Sequence, residues 1–358
     1  MKKICIISFS TKYGLQKYMY SLYDVLKSNS KNVSLFTFGS SDISFKRVLD
    51  KNNLIFETPD TPGFEFKTFN IIEIKKILSQ LKKIKCEYIY FYSSHVWNIP
   101  IIMKFKGKIK ILHSIHDPFP HENEKNTRNV SFYNKFISKN VDYVILHNEK
   151  FKDKFSKKYN IDKSKVLVLK LWHEWLPYKR VKSTNKVLFF GRIQPYKGIE
   201  KVIKLAELNP NIIFNIVGKV SEEMEFIKKH IKECKNINLI DKYVDEDEMH
   251  QFFYESEIVI LPYNSATQSG VLLEAYRHSR PIIAFDVGAL SEQMPEHLKS
   301  EFLIKKDDLN DFNRVLNKYL KKNLEEKNKI CKEFYNYGFS NFSAEKIGEK
   351  FLAMYSNI

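Results

Sequence analysis

The sequence predicts an α/β protein of two successive domains, each a parallel sheet with helices on both faces. Three observations predict this. Short apolar runs of strand length alternate with amphipathic stretches from the start of the chain to Phe285. One polar segment, Tyr178 to Asn185, interrupts the alternation, which then restarts. The chain has 358 residues, and domains hold roughly 100–200 each.

In order, residues 3–9 read as a buried strand, followed by a turn at Tyr13 and Gly14. A helix is expected over 15–26, with Tyr18, Leu22 and Leu26 four apart on one face. Residues 33–38 form the next strand, 71–81 an amphipathic helix and 88–92 a strand. Strands over 109–113 and 143–147 flank a helix-prone stretch at 132–138, and 166–171 closes this half. Segment 178–185 reads as the linker. Beyond it, strands at 187–190, 212–217, 237–240, 258–261 and 281–285 alternate with helices at 199–208, 222–233, 246–254 and 270–278. From Leu309 onward the pattern is helical, with Ser343 as N-cap of a last helix. The expected domains are 1–180 and 181–340, facing across a cleft, with a C-terminal helix over 341–358 packing back toward the first.

Composition excludes several classes. A hydrophobic fraction of 43% rules out a wholly disordered chain, and 11 Gly with 11 Pro rule out a collagen-like one. No apolar run approaches the ~20 residues of a membrane-spanning helix. The basic start, Met1-Lys2-Lys3, leads into too short an apolar stretch for a signal peptide and is read as a mature strand. Four cysteines without CxxC spacing fit a reducing, cytoplasmic compartment. Dinucleotide-binding GxGxxG, P-loop, HExxH and GxSxG patterns are all missing, and the histidine spacing shows no metal site.

The net charge is +17, from 59 basic and 42 acidic residues. Residues 1–180 hold 33 Lys/Arg and 16 Asp/Glu, so the whole excess lies in the first half. Lysine-rich composition alone should raise both halves alike. An anionic membrane surface or acceptor is the expected partner, met by lysines within 75–85 and 104–110. Nucleic acid is the rival, but no aromatic-basic motif supports it.

Two segments carry chemistry. In Phe190-Gly191-Arg192-Ile193-Gln194-Pro195-Tyr196-Lys197-Gly198, two cations share one loop at a strand's carboxyl end. There they can converge on an anion, Arg192 as a planar fork and Lys197 as a point charge. In Leu261-Pro262-Tyr263-Asn264-Ser265-Ala266-Thr267-Gln268-Ser269-Gly270-Val271, a strand ends in a small polar loop that opens a helix. Backbone amides at that helix start make an anion site. Glu274, one turn in, can accept hydrogen bonds from vicinal hydroxyls.

With Ile216-Val217-Gly218 and Pro281-Ile282-Ile283-Ala284, these segments make residues 186–290 resemble the C-terminal domain of retaining family-4 glycosyltransferases of GT-B architecture. The first half resembles that family more weakly, through its first strand, Gly14 and His116-Asp117-Pro118. The resemblance implies that Arg192 and Lys197 bind a donor diphosphate, that Ser269, Gly270 and Val271 amides support the phosphate, and that Glu274 holds the ribose. It also implies that Tyr243 and Val244 border the nucleobase, that Gly14 and Gly218 line the donor site, and that His116 faces the donor sugar. Asp117 would orient it or meet the acceptor hydroxyl. The family usually has a second glutamate eight positions before Glu274, where this chain has Ala266; Gln268 is the expected partial substitute.

The expected activity is therefore transfer of a hexose-like sugar from a UDP- or GDP-sugar to a saccharide or lipid-linked saccharide. Retention, no metal and no cofactor are expected. The acceptor would be a polyprenyl-diphosphate-linked saccharide or a lipopolysaccharide precursor in bacterial surface-polysaccharide synthesis, placing the protein in the cytoplasm or peripherally on the inner membrane face. A nucleotide-sugar epimerase of the same shape, a nucleic-acid binder and a non-catalytic sugar-binding module are the alternatives. His113 and His121 read as structural, while His95 and Trp172-His173-Glu174-Trp175 read as cleft residues without a role.

Overall fold

The computed structural model describes residues 3–10, 13–29, 32–38, 54–56, 65–119 and 127–358. The chain forms two compact units, Met1–Glu174 with Ala344–Ile358, and Trp175–Ser343. Each is built on its own parallel sheet.

The first sheet runs β3-β2-β1-β4-β5-β6-β7, from β1 (Ile4–Ser8), β2 (Val33–Phe38), β3 (Leu54–Phe56), β4 (Tyr88–Phe91), β5 (Lys110–Ser114), β6 (Tyr143–Leu146) and β7 (Val166–Val168). Its central strands are apolar throughout because both faces are covered. Alternate residues of one strand serve the two cores. Cys5 and Ile7 face a cluster with Ile77, Leu81, Ile101, Phe105 and Ile137. Ile4 and Ile6 face Met19, Leu22, Leu26, Ile347, Phe351 and Tyr355.

The last helix, Ala344–Ser356, belongs to this unit. Tyr355 meets Tyr88 edge-on at 4.6 Å, and Phe351 meets Tyr90 at 5.3 Å. Gly348 permits close approach to helix Tyr13–Asn29, since a Cβ there would lie 2.4 Å from Val25 Cγ1. Gly348→Val should cost about 1–3 kcal/mol by overpacking and expose the last helix to limited proteolysis. Unchanged urea unfolding and cleavage would refute this.

The second sheet runs β10-β9-β8-β11-β12-β13, from β8 (Lys186–Phe190), β9 (Ile213–Val217), β10 (Ile237–Ile240), β11 (Ile258–Leu261), β12 (Ile282–Phe285) and β13 (Leu303–Ile304). Strand order reverses between β8 and β11, which are direct neighbours through Ile258 and Val187. In open α/β sheets, ligands bind at such a reversal, outside the carboxyl ends of the strands.

The structure departs from the sequence reading in several places. Gly14 is in the first turn of helix Tyr13–Asn29 rather than in a turn before it; the buried face downstream carries the helix past a glycine. The segment read as a linker is stitched onto the second unit. Lys179 N donates to Ser279 Oγ, Val181 N to Asn328 Oδ1, and Thr184 and Asn185 N to Glu257 Oε1. The units divide at Glu174 and Trp175, whose ring packs against Tyr335 and Phe339. Helices Asn98–Phe105 and Lys152–Tyr159 were not anticipated; Pro100 sits in the first turn of the former, where it is tolerated. Residues 222–233 split into a 3-10 turn, Glu222–Met224, and a helix, Ile227–Glu233.

Candidate active site

Both motif loops of the second unit leave the strands that flank its reversal point. Three glycines at positive φ let them meet. Gly198 (φ 68°) lies so close to β11 that a Cβ would be 2.0 Å from Pro262 O. Gly218 (φ 145°) would place one 2.2 Å from Gly191 O. At Gly191 (φ 97°) a Cβ would be 2.6 Å from Lys197 Nζ, so that glycine leaves the room the ammonium occupies. The loops are also joined directly, by Asn264 N donating to Tyr196 O (2.7 Å) and Asn264 Nδ2 to Pro195 O (3.0 Å).

Lys197 is only 7% exposed. Its Nζ lies 3.4 Å from Phe190 O and 5.3 Å from the Tyr263 ring centre. Burial, and then the neighbouring charge of exposed Arg192, lowers its pKa from 10.5 to about 7. No carboxylate offsets that burial among the causes of the shift. The loop thus sets a buried amine beside the exposed Arg192 guanidinium.

Helix Gly270–Arg277 begins beside this cation, since a Cβ on Gly191 would meet both Lys197 Nζ at 2.6 Å and Val271 Cγ2 at 3.3 Å. Ser269 Oγ caps it, accepting from Leu272 N at 3.2 Å. Ser269 N donates to Gln293 Oε1 (2.8 Å), while Gln293 Nε2 donates to Ser269 O (3.3 Å). The Ser269 amide is therefore engaged by Gln293. Gly270 and Val271 remain in the first turn, where a helix supplies no backbone acceptors of its own. Ala266 is buried, with its carbonyl against Gly288, where a Cβ would lie 1.4 Å away. Gln268 is half-buried in the same loop.

Glu274 lies on this helix with Arg277 Nη1 at 3.3 Å and His278 Nδ1 at 3.6 Å from Oε2. His278 Nδ1 donates to the Glu274 carbonyl (2.6 Å) and its Nε2 accepts from His250 Nδ1 (2.6 Å). Burial depresses the His278 pKa to about 3, so Arg277 supplies the counter-charge. Glu246 Oε1 stands 3.7 Å from Arg277 on its other side. Sequence reasoning missed Arg277 and His278, which look like ordinary residues of the Glu274 helix, and His250, which comes from helix Glu246–Glu255, over 20 residues away in sequence. Tyr243 and Val244 follow edge strand β10, two strands from β8, and Tyr243 is exposed.

In the first unit, His116 follows the carboxyl end of β5. Its Nε2 donates to Tyr92 O (2.8 Å), and its ring stacks on His147 at 4.4 Å. His147 passed unnoticed in the sequence. Its Nδ1 donates to Leu169 O (2.8 Å), and burial holds its pKa far below the usual value. Asp117 is exposed. His113 is structural, as expected: it is fully buried between Asn98, Tyr133 and Ser114, with its pKa lowered to about 3 by burial. His95 and His173 are buried too. His121 lies outside the described residues.

Two families match this arrangement. Residues 177–338 match Glycosyl transferases group 1, and residues 13–170 match Glycosyltransferase Family 4. The chain is a glycosyltransferase, and its two Rossmann-like domains are those of the GT-B fold. An uncharacterized 41.2 kDa protein from the cps region of Klebsiella pneumoniae is 26% identical over 283 residues, 72% of this chain and 76% of that one. GDP-mannose:glycolipid 4-beta-D-mannosyltransferase of Xanthomonas campestris pv. campestris is 27% identical over 119 residues, 32% of this chain and 34% of that protein. Among solved structures, Anabaena HepE in complex with UDP and glucose superposes with TM-score 0.76 at 15% identity, over 100% of both chains. Sucrose-phosphate synthase of Thermosynechococcus elongatus gives TM-score 0.77 at 15% identity, over 100% of this chain and 99% of that one. These two likenesses concern the fold. None of the described helices is long and apolar enough to cross a membrane.

Proposed function

We propose that the protein transfers a sugar from a UDP- or GDP-sugar to a saccharide or lipid-linked saccharide, with retention and without a metal. The observation that carries this reading is the buried Lys197 beside Arg192 at the strand reversal, next to a helix start. A departing diphosphate needs cationic and amide stabilisation there. The cps-region relative and the glycolipid mannosyltransferase support a role in surface-polysaccharide synthesis on an acceptor held at the inner membrane face.

In the proposed reaction the bond from the anomeric carbon to the phosphate oxygen breaks as that to the acceptor oxygen forms. The acceptor proton passes to the leaving phosphate oxygen on the same face. Arg192, Lys197 and the Gly270 and Val271 amides hold the diphosphate. Glu274, oriented by its ion pair with Arg277, accepts from the ribose hydroxyls. Gly14, Gly218, Tyr243, Val244 and Gln268 are assigned to the donor site, and His116 and Asp117 to the sugar and acceptor, on the family resemblance.

The test is turnover of UDP- and GDP-sugars with lipid-linked acceptors, with anomeric configuration read by NMR and activity compared with and without chelator. An inverted product or loss of rate on chelation would overturn the finer assignment. Turnover of donor without acceptor would favour an epimerase. Glu274→Gln should raise the donor KM at least about tenfold, since hydrogen bonds to charged groups contribute about 1.5–3 kcal/mol. An unchanged KM in initial-rate kinetics would remove Glu274 from the site.

A further inference from the structure

The first unit carries an apolar tip with a basic flank. The 3-10 turn Phe66–Phe69 leads through Asn70 into helix Ile71–Ile84. Phe66 is 99% exposed, Phe69 74%, Ile71 63% and Ile72 69%. The turn is fixed from behind: Thr68 is buried, and its carbonyl accepts from Trp97 Nε1 at 2.9 Å in the core. Asn70 Oδ1 caps the helix through Glu73 N. The inward face of the helix is already satisfied, with Ile77 and Leu81 fully buried. Its outward face continues from Ile71 and Ile72 into Lys75, Lys76, Lys82 and Lys83, all exposed, and Lys67 stands within the turn. Glu73, the acidic residue nearest the tip on this helix, is held by Lys76.

We infer that the surface formed by Phe66, Phe69, Ile71, Ile72 and the lysines of helix Ile71–Ile84 docks the protein on an anionic lipid bilayer. The inference deepens the reading above by naming the surface that would meet a lipid-held acceptor. Charge complementarity selects the occupant. A second copy of a +17 chain would bring lysines against lysines. A nucleic acid would engage the lysines and leave four exposed apolar side chains unused. A bilayer with anionic headgroups takes both: apolar groups enter the acyl boundary and lysines stay at the headgroups. The neighbouring helix Asn98–Phe105 exposes Met103 and Lys104 and extends the same chemistry.

The experiment is flotation of the full chain with vesicles of phosphatidylcholine alone, or of phosphatidylcholine and phosphatidylglycerol in equal parts. Three variants are compared: F66S/F69S/I71S/I72S, K75Q/K76Q/K82Q/K83Q, and the charge-matched K154Q/K157Q/K158Q/K165Q elsewhere on the unit. The wild type and the charge-matched variant should float with the anionic vesicles. Each patch variant should lose at least about tenfold in partitioning, since one lysine is worth about fivefold at the surface. Equal loss in the charge-matched variant, no loss in the serine variant, or no wild-type binding would overturn the proposal. DNA binding that is lost only with the lysines would assign the surface to nucleic acid instead and also overturn it. UDP and GDP binding is measured on the same samples. Its failure strikes the transferase assignment, and failure of flotation strikes this surface, so the two separate.

Discussion

Lys197→Ala is expected to lower donor kcat/KM on the order of 10²–10³-fold, the scale of losing one preorganised charge stabiliser. It should also abolish calorimetric binding of the nucleoside diphosphate that the wild type prefers. The pH dependence makes the assignment specific. With a folded pKa of about 7 against an ordinary 10.5, Lys197 is neutral in the folded state and charged in the unfolded one between those values. The unfolded chain then binds the extra proton, so folding stability rises with pH across that interval. The penalty is absent above 10.5, grows as pH falls, and levels off below about 7. A bound diphosphate reverses the preference and favours the ammonium. Binding above pH 7 therefore takes up a proton, and affinity falls by up to about tenfold per pH unit. Titrations in two buffers of different ionisation enthalpy read that uptake directly. A flat affinity from pH 7 to 9 without proton uptake would remove Lys197 from the diphosphate site; Lys197→Met should abolish the pH dependence with little change in volume.

The parallel sheets were legible because their central strands are apolar on both faces, which leaves short continuous runs such as Ile258–Leu261. Strand order was not, since it depends on which crossover returns to which edge. The two-cation loop was legible for a related reason: Gly191, Arg192, Lys197 and Gly198 crowd one loop, and only glycine fits where Gly198 presses on Pro262. What surrounds the site was hidden. Gln293 engages the Ser269 amide from a separate loop, and the Glu274 partners Arg277 and His278 look like ordinary helix residues until His250 is brought alongside. The linker misled for a physical reason. Lys179, Arg180, Lys182, Ser183 and Asn185 are exposed as in a linker, yet the backbone of the segment is bound to the second unit by Ser279, Asn328 and Glu257. The exposed tip left no trace in composition, since the outward direction of Phe66 and Phe69 follows only from Thr68, which is buried with its carbonyl bound by Trp97.

Lys327→Met is expected to destabilise the protein by about 3–5 kcal/mol, the cost of stranding a buried charge. Glu257 is fully buried at the amino end of β11, and its carboxylate has three donors. Lys327 Nζ donates to Oε2 at 2.5 Å, and Thr184 and Asn185 amides donate to Oε1 at 2.6 and 2.7 Å. Lys327 is itself buried, so the methionine fills its volume and removes the charge together with its hydrogen bond to Glu257. The same carboxylate holds the strap that enters β8, where Asn185 adopts φ 52°. Arg280 secures the strap at its other end, donating to Lys179 O (3.2 Å) as well as to Phe253 and Tyr254 carbonyls. Loss of Lys327 should therefore lower the midpoint of urea unfolding and loosen the approach to the Gly191–Lys197 loop, weakening nucleotide binding as a secondary effect. Glu257→Gln in the Lys327→Met background removes the stranded charge while keeping an acceptor for the two amides, and should recover more than half of the loss. If the single variant unfolds like the wild type, or if the double variant is no more stable than the single, the buried pair is not what anchors the strap.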